Sequence, residues 1–416
     1  MKQDKLLIMG LSIGSAEALE YAKSIGIYTI ITDYCSPDEN RLKLLADEYW
    51  MIDVADIDSL EKMCRKKKVT GIFAGASEFC LDKAKELCKR LDLFFYASEE
   101  GWAAARDKRR FKECCKLCDL DTPKEYVIDL AEGLKEVPKF SWPVVMKPVD
   151  SSAQQGLFIC KNEEELWNSY EPALKASAKK ELVFEEYVEG NEIAAVYGFE
   201  DGKAVLLEVV EYICETINGR KNFTFAKQFS RFTKEYIHIA DEKVKSLFKK
   251  LNCQSGVAFV QAIRKDGKYF FLEMGYRLNG GGSWITDEII TGQNIVKYLV
   301  DCALGNKSHW LKKTKNNMHY VAGTYMLWAK PGQVKKLEGL EELKKIRGIF
   351  VILQRFQIGD IIPEQISMRQ IAFYILIVAE NANKMRELIS TINKTLHVYN
   401  ELGEELLIPF ENINII

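Results

Sequence analysis

The chain has 416 residues, enough for two to four domains of roughly 150 residues each. Hydrophobic residues make up 47% and charged residues 28%, which excludes an intrinsically disordered chain. Since 58 Lys and Arg stand against 60 Asp and Glu, the net charge of -2 argues against nucleic acid or an anionic membrane surface as a partner.

The beginning of the chain and its cysteines bear on cellular location. The first five residues run directly into a strand-like segment, without the basic and apolar regions of a signal peptide. Apolar runs fall well short of the ~20 residues that a membrane-spanning helix needs. The eleven cysteines are scattered, which is typical of reduced thiols rather than a disulfide framework. We therefore expect a cytoplasmic protein with no membrane partner.

Strand-like and helical segments alternate over the first 95 residues. Apolar residues at helical spacing separate short β-branched runs, a pattern that predicts right-handed crossovers and a parallel sheet. The predicted strands are 5–9, 28–32, 71–74 and 93–96, and the predicted helices are 15–24, 58–67 and 81–90. The sequence thus predicts a Rossmann-like α/β domain over residues 1–97.

The first turn of this region contains Gly10 and Gly14, and Asp33 ends the second predicted strand. This is a degraded form of the dinucleotide-binding fingerprint, so a nicotinamide oxidoreductase is one alternative function. The other interpretation is that any strand-helix turn needs glycines, and the features further along the chain favour it.

From Trp142 the pattern changes to a β-rich α+β character. Strands are predicted at 124–128, 142–148, 157–160, 181–186, 192–200 and 204–212, with helices at 163–175 and 241–251. An antiparallel pair at 257–264 and 268–274 is joined by Asp266-Gly267, a typical tight-turn dipeptide. The glycines 280–282 lead into further helices, and strands with two helices follow from about Met318.

Four polar features follow one another in a fixed order along the chain. They are Lys108, Lys147 with the small-residue loop 151–156 after it, the acidic segment 184–192, and the segment 273–279 with Glu273 and Arg277. Two lysines and a closing loop can neutralise triphosphate oxygens, and a strand carboxylate can hold Mg²⁺. An arginine beside them can stabilise a phosphoryl group in transfer. Each feature alone is weak, whereas their order and spacing together are specific.

With this pattern, residues 98–305 resemble the ATP-grasp superfamily. The segments 286–292, 294–297 and 303–305 are similar to those of biotin carboxylase and the carbamoyl phosphate synthetase large chain. The tail from about His319 looks like the C-terminal domain of L-amino acid ligases. The resemblance implies a pre-ATP-grasp domain at 1–97, a two-lobed ATP-grasp domain at 98–310 with a small lobe at about 124–188, and a C-terminal α+β module at 311–416.

The resemblance also implies a role for each residue of the pattern. ATP phosphates would meet Lys108 and Lys147, with the loop 151–156 as a cover. Arg277 would stabilise the transition state that leads to an acyl phosphate, and Lys147 would assist it. The remaining contacts to the nucleotide and to Mg²⁺ would come from Glu185, the main chain of Glu186 and Val188 (adenine), Glu192 (ribose), Leu272 (base packing), and Glu273 with Gln261 (metal).

Two positions depart from the superfamily's pattern. The upstream metal position usually carries an acid and here carries Gln261, and the position two after Glu273 is often Asn and here is Gly275. A neutral Gln still offers a carbonyl oxygen, but losing a negative ligand weakens Mg²⁺ binding. An ATP-binding protein with a degenerate metal site and altered or no catalysis is therefore an alternative.

The leading prediction is an ATP-dependent carboxylate-amine ligase that uses ATP and Mg²⁺. Its partners would be a small-molecule carboxylate and an amine, and the resemblance also allows a homodimer. Glu78 follows a strand of the first domain, where it can face a substrate or simply favour the start of a helix through the helix dipole.

Overall fold

The computed structural model describes residues 3–126, 140–151, 155–217, 220–312, 319–364 and 368–416. Within these ranges no helix has both the length and the apolar character needed to cross a membrane. The alternation of strands and helices at the start of the chain leads into antiparallel sheets further along. The predicted combination of α/β and α+β architecture is confirmed.

The N-terminal region is a four-stranded parallel sheet with strand order β3-β2-β1-β4. Central strand β1 is apolar on both faces, as a strand covered by helices on both sides should be. Its elements are β1 (Lys5–Met9), α1 (Ser15–Ser24), β2 (Tyr28–Thr32), β3 (Glu48–Trp50), α2 (Ile57–Lys67), β4 (Gly71–Ala74) and α3 (Glu78–Leu91).

The predicted strand at 93–96 is wrong. The described chain has no strand there, and β3 takes the remaining edge of the sheet instead. The aromatic residues of this segment pack against other side chains: Phe95 and Tyr96 stack at 5.0 Å, and Tyr96 Oη donates to the carbonyl of Tyr276 at 3.1 Å. Their apolar character therefore serves packing against the later sheet rather than strand pairing.

A small antiparallel sheet with order β5-β8-β6-β7 follows two connecting helices. Residues 127 and 128 of the predicted strand 124–128 lie outside the described residues. The elements are α4 (Glu99–Arg106), α5 (Lys108–Lys116), β5 (Glu125–Tyr126), β6 (Val144–Pro148), β7 (Phe158–Cys160), α6 (Glu163–Lys175) and β8 (Leu182–Glu186).

The next elements build the central part of a large antiparallel sheet. The predicted pair β12 and β13 is confirmed, and Asp266 and Gly267 between them both have positive φ, of 49° and 73°. The elements are β9 (Asn191–Glu200), β10 (Lys203–Ile217), β11 (Arg220–Lys227), α7 (Thr233–Tyr236), α8 (Glu242–Lys250), β12 (Gly256–Lys265), β13 (Lys268–Gly275), α9 (Trp284–Ile290) and α10 (Ile295–Ala303).

Three C-terminal strands extend this same sheet, whose order is β13-β12-β9-β10-β11-β14-β19-β17, with β21 beside β14. The predicted boundaries at 97/98 and 310/311 stay predictions, and hydrogen bonding runs across the second of them. The elements are β14 (Val321–Ala329), β15 (Gly332–Gln333), β16 (Lys336–Glu338), α11 (Leu340–Leu343), β17 (Ile349–Gln354), β18 (Ile361–Ile362), β19 (Ile371–Ala379), α12 (Ala382–Thr395), β20 (His397–Tyr399) and β21 (Leu407–Ile408).

Candidate active site

A cavity of about 610 Å³ lies between the small sheet and the large sheet. It brings together the residues that were predicted one by one to bind nucleotide and metal. Residues of the N-terminal region, Ser12 and Glu78 among them, also reach it. The predicted residues that line it are Lys108, Lys147, Glu185, Glu186, Val188, Glu192, Gln261, Leu272, Glu273 and Arg277.

Lys147 lies on β6, one residue before the end of the strand, and is 6% exposed. Its Nζ is 3.0 Å from Oε2 of Glu185 on the neighbouring strand β8, and Lys112 of α5 pairs with the other oxygen of Glu185. Burial alone would raise the pKa of Glu185, but Lys147 and then Lys112 hold it below its ordinary value. The carboxylate is therefore charged, and it fixes Lys147 toward the cavity.

This arrangement qualifies the predicted role of Glu185. The side chain is 1% exposed and both of its oxygens are engaged by lysines. An adenine contact from this carboxylate would compete with two ion pairs, so the geometry favours the lysine-orienting role. Sequence reasoning missed Lys112, although it follows Lys108 by four residues and shares its face of α5.

Lys108 faces Glu273 from the start of α5, where Asp107 caps the helix by accepting from the amides of Arg109 and Arg110. Nζ of Lys108 is 3.0 Å from Oε2 of Glu273 and donates to the carbonyl of Ser151 at 2.6 Å. Lys108 thus connects strand β13 to the beginning of the predicted phosphate loop. Residues 152–154 of that loop lie outside the described residues.

Glu273 is partly exposed toward the cavity, with 35% of its side chain accessible. Burial would raise the pKa of this carboxyl, but Lys108 and Lys147 lower it below its ordinary value, with a further contribution from Arg277. The group is therefore ionised among three cations. A carboxylate held in this way can bind a divalent cation. It can also compete with phosphate oxygens for the lysines.

The candidate metal ligands lie side by side, because Gln261 of β12 pairs in register with Glu273 of β13. Both face the cavity, so one carboxylate and one amide oxygen are available. Mg²⁺ is commonly held by one or two carboxylates together with substrate phosphates, and this oxygen donor set fits that pattern. Among the described residues no group of three or more His, Cys, Asp and Glu forms a closed metal site.

Arg277 extends from the segment after β13 toward the N-terminal region. Its Nε and Nη2 lie 3.2 and 3.1 Å from Oε1 of Glu78, the first residue of α3, and Arg106 of α4 pairs with the other carboxylate oxygen. Glu78 therefore both begins a helix and anchors two cavity arginines. The structure confirms that Glu78 begins a helix, whereas its contact with a substrate stays a prediction. The motifs did not indicate Arg106.

The residues predicted to contact adenine and ribose also line the cavity. Glu186 ends β8, Val188 follows it two residues later, and Leu272 faces the cavity from β13. The backbone here is tied down, since the amide of Glu186 donates to the carbonyl of Lys124 at 2.9 Å. Burial raises the pKa of Glu192, which Lys221 at 3.9 Å partly offsets.

A family model and a curated relative match this chain. Residues 107–310 match the family described as carbamoyl-phosphate synthase L chain, ATP binding domain. Dapdiamide A synthase of Enterobacter agglomerans is 22% identical over 385 residues, which cover 88% of each chain.

Solved structures share the fold over almost the whole length. L-amino acid ligase from Bacillus licheniformis has a TM-score of 0.79 at 18% identity, with 96% of this chain and 100% of that chain covered. The biotin carboxylase domain of the Hydrogenobacter thermophilus 2-oxoglutarate carboxylase, solved as a dimer with MgADP, ADP and bicarbonate, has a TM-score of 0.74 at 18% identity, covering 98% and 92%. At these identities the likeness establishes the fold.

Proposed function

We propose that this chain, whose residues 107–310 match the family described as carbamoyl-phosphate synthase L chain, ATP binding domain, is an ATP-dependent ligase. It activates a small-molecule carboxylate as an acyl phosphate, releases ADP, and joins the acyl group to an amine. The observation that carries the proposal is the cavity in which Lys147, Lys108, Glu273 and Arg277 converge from both sheets and the helix between them.

The chain's own residues supply most of what phosphoryl transfer requires. Lys147 and Lys108 are positioned by Glu185 and Glu273, so their ammonium groups are preorganised to meet the triphosphate. Arg277 stabilises negative charge on the phosphoryl group in transfer, because its guanidinium is held at the cavity wall by Glu78. Glu186, Val188, Glu192 and Leu272 accommodate the nucleoside.

Magnesium completes this site. Glu273 and Gln261 would hold it, and the ion when bound neutralises phosphate charge and helps to align the γ-phosphate. The neutral Gln261 leaves Glu273 as the anionic ligand of this pair. We also propose a cytoplasmic location and a homodimer. A dimer is the form in which the biotin carboxylase domain named above was solved.

The substrate class follows from the relatives. L-amino acid ligase is named for an amino acid substrate, and this chain shares its fold over 96% of its length. We therefore propose an amino acid or a related small molecule as carboxylate donor and an amino acid, or another small amine, as acceptor.

The test is a phosphate-release screen with Mg-ATP and the standard L-amino acids, singly and in pairs, using purified protein. We expect release that requires both a carboxylate and an amine. Lys147→Ala and Glu273→Ala should each lower it by at least about 10²-fold, as expected when a group that stabilises the transition state is removed. Lys116→Ala, an exposed position two turns after Lys108 on α5, is the control.

Two outcomes would reject the proposal. One is full activity in both Lys147→Ala and Glu273→Ala. The other is stabilisation of the fold by Mg-ATP without phosphate release for any carboxylate tested, which would favour a nucleotide-binding protein without catalysis. Stabilisation by NAD in place of ATP would favour the oxidoreductase alternative that Gly10 and Gly14 raise.

A further inference from the structure

Two buried carboxylates behind the cavity wall have no part in the function proposed above. Glu208 of β10 is 3% exposed and Asp287 of α9 is 8% exposed. The side-chain amide of Gln228 donates to both, at 3.3 Å to Oε2 of Glu208 and at 2.6 Å to Oδ1 of Asp287. We refer to Glu208 and Asp287 as the acid pair.

The acid pair has no cationic partner among the described residues. Neither carboxylate forms a salt bridge with a Lys, Arg or His there, although buried carboxylates are ordinarily paired with a cation. Burial raises the pKa of Glu208, and burial together with Glu208 raises the pKa of Asp287. Like charges this close share a proton at neutral pH, which leaves one negative charge without a counterion.

The groups around Glu208 leave this charge uncompensated. Its partner on β9 is the apolar Val196, and the uncharged Gln228 directly follows β11. The next residue, Val209, packs into the core with residues of α7 and α8, so Glu208 turns away from the charges of those helices. Among the described residues, Tyr212 on the same strand is another titratable group, and the charge of Glu208 contributes to raising its pKa.

Hydrogen bonds through Ser283 and Asn279 connect the acid pair to the cavity, which both of these residues line. Ser283 Oγ donates to Oε1 of Glu208 at 2.9 Å, and Asn279 Nδ2 lies 3.4 Å from Ser283 Oγ. Asn279 is 7% exposed, and its Oδ1 has no hydrogen-bond partner in the part of the chain that the structure describes. A buried acceptor without a donor costs about 1–3 kcal/mol, which a bound N–H group would recover.

An unpaired acceptor in the wall and an uncompensated negative charge behind it favour a ligand that donates hydrogen bonds and carries positive charge. We propose that the acid pair, acting through Ser283 and Asn279, binds the amine substrate as its ammonium ion and accepts its proton. This inference rests on the proposed ligase function and identifies its acceptor site.

The proton transfer is balanced without a further reactant. An N–H bond of the ammonium breaks and its electron pair stays on nitrogen as the lone pair. Ser283 Oγ takes this proton while passing its own to Oε1 of Glu208, which becomes a neutral carboxylic acid. The neutral amine then attacks the acyl carbon, and phosphate leaves with the electrons of the C–O bond. The departing phosphate takes the second N–H proton as the amide forms. A carboxyl whose pKa is raised by burial is a better match for an ammonium donor than an ordinary one.

The experiment separates carboxylate activation from use of the amine. Hydroxylamine, which is uncharged at neutral pH, traps the acyl phosphate as a hydroxamate and needs no deprotonation before attack. The amine arm measures kcat/KM against pH for the amino acid acceptor that gives the fastest phosphate release in the wild type. Both arms use the full chain, Glu208→Gln, Ser283→Ala, and as a control Glu211→Gln, a buried carboxylate of β10 that pairs with Arg231 at 2.9 Å.

In Glu208→Gln and Ser283→Ala we expect hydroxamate formation within about twofold of wild type. We expect kcat/KM for the amine to fall on the order of 10²-fold, less so at high pH where the free amine is abundant. Glu211→Gln should not affect kcat/KM for the amine more than it affects hydroxamate formation. An unchanged amine kcat/KM and pH profile in both variants, or equal losses in both arms, would overturn the inference.

Ser283→Ala keeps both carboxylates, so the test survives if Glu208→Gln fails to fold. Failure of the proposed function gives a different result, because the wild type would then form no hydroxamate with any carboxylate.

Discussion

The guanidinium of Arg277 lies 3.1 Å from the carboxylate of Glu78, although 199 positions separate the two residues in the chain. Glu78 begins helix α3 of the N-terminal region and Arg277 follows strand β13 of the large sheet. The N-terminal region therefore contributes to the wall of the cavity. Since Arg106 pairs with the same carboxylate, one acid sets the position of two cavity arginines.

Neutralising this acid tests whether the position of Arg277 matters for turnover. In Glu78→Gln we expect kcat to fall by about tenfold or more, because the guanidinium loses its ionic anchor and no longer faces the phosphoryl group reliably. The measurement is steady-state phosphate release with the substrates from the screen. Glu86→Gln, which lies on the same helix and pairs with Arg90 at 2.7 Å, should behave as wild type. An unchanged kcat in Glu78→Gln would contradict the positioning role.

The neutral amide in the metal pair makes a separate prediction. Gln261→Glu places a second carboxylate directly beside Glu273, so we expect the Mg²⁺ concentration for half-maximal activity to fall by roughly tenfold. Titration of phosphate release with Mg²⁺ at fixed ATP measures it. Gln254→Glu makes the same chemical change at an exposed position and should leave the Mg²⁺ requirement as it is. If the requirement rises in Gln261→Glu, Gln261 is not a ligand.

The lysine that the motifs missed has a structural consequence. Lys112 is buried against Glu185, so Lys112→Met leaves that carboxylate with Lys147 as its one ion-pair partner among the described residues. Breaking one side of a buried ion pair should cost about 3 kcal/mol of unfolding free energy, measurable by urea denaturation. Lys116→Met, one turn further on the same helix and exposed, should cost little. Equal stability of the two variants would show that Glu185 is satisfied by Lys147 alone.

The sequence predicted those parts of the fold that depend on local periodicity and turn chemistry. Helix α1 begins and ends where the apolar spacing places it, and the positive φ values of Asp266 and Gly267 account for the predicted β12–β13 turn. The cavity lysines and Glu273 were predictable for a related reason. They lie at or near the ends of strands and helices. Their positions can therefore be predicted from local secondary structure, without knowledge of long-range packing.

Features that depend on long-range pairing were not predictable from these patterns. Strand β11 pairs with β14, and this pairing continues the large sheet into the C-terminal region. No local sequence pattern predicts this pairing. The segment 93–96 has strand-like composition, yet its aromatic side chains are used for packing. Glu208 and Asp287 are 79 residues apart and belong to no common motif, and Gln228 brings them together only in the folded chain.

The acid pair predicts how stability depends on pH, independently of activity. Burial raises the pKa of Glu208, so the folded protein retains a proton that the unfolded chain releases near its ordinary pKa of about 4.3. Stability therefore falls as pH rises from that value toward the raised folded pKa, by up to about 1.4 kcal/mol per pH unit. Gln does not titrate, so Glu208→Gln should gain stability relative to wild type as the pH rises from about 4.3 to the raised folded pKa of about 7. Urea denaturation across this range measures the difference. Ser283→Ala keeps both carboxylates, so its unfolding free energy should fall with rising pH as in wild type. If the difference in unfolding free energy between wild type and Glu208→Gln does not change with pH, Glu208 titrates as an ordinary carboxyl.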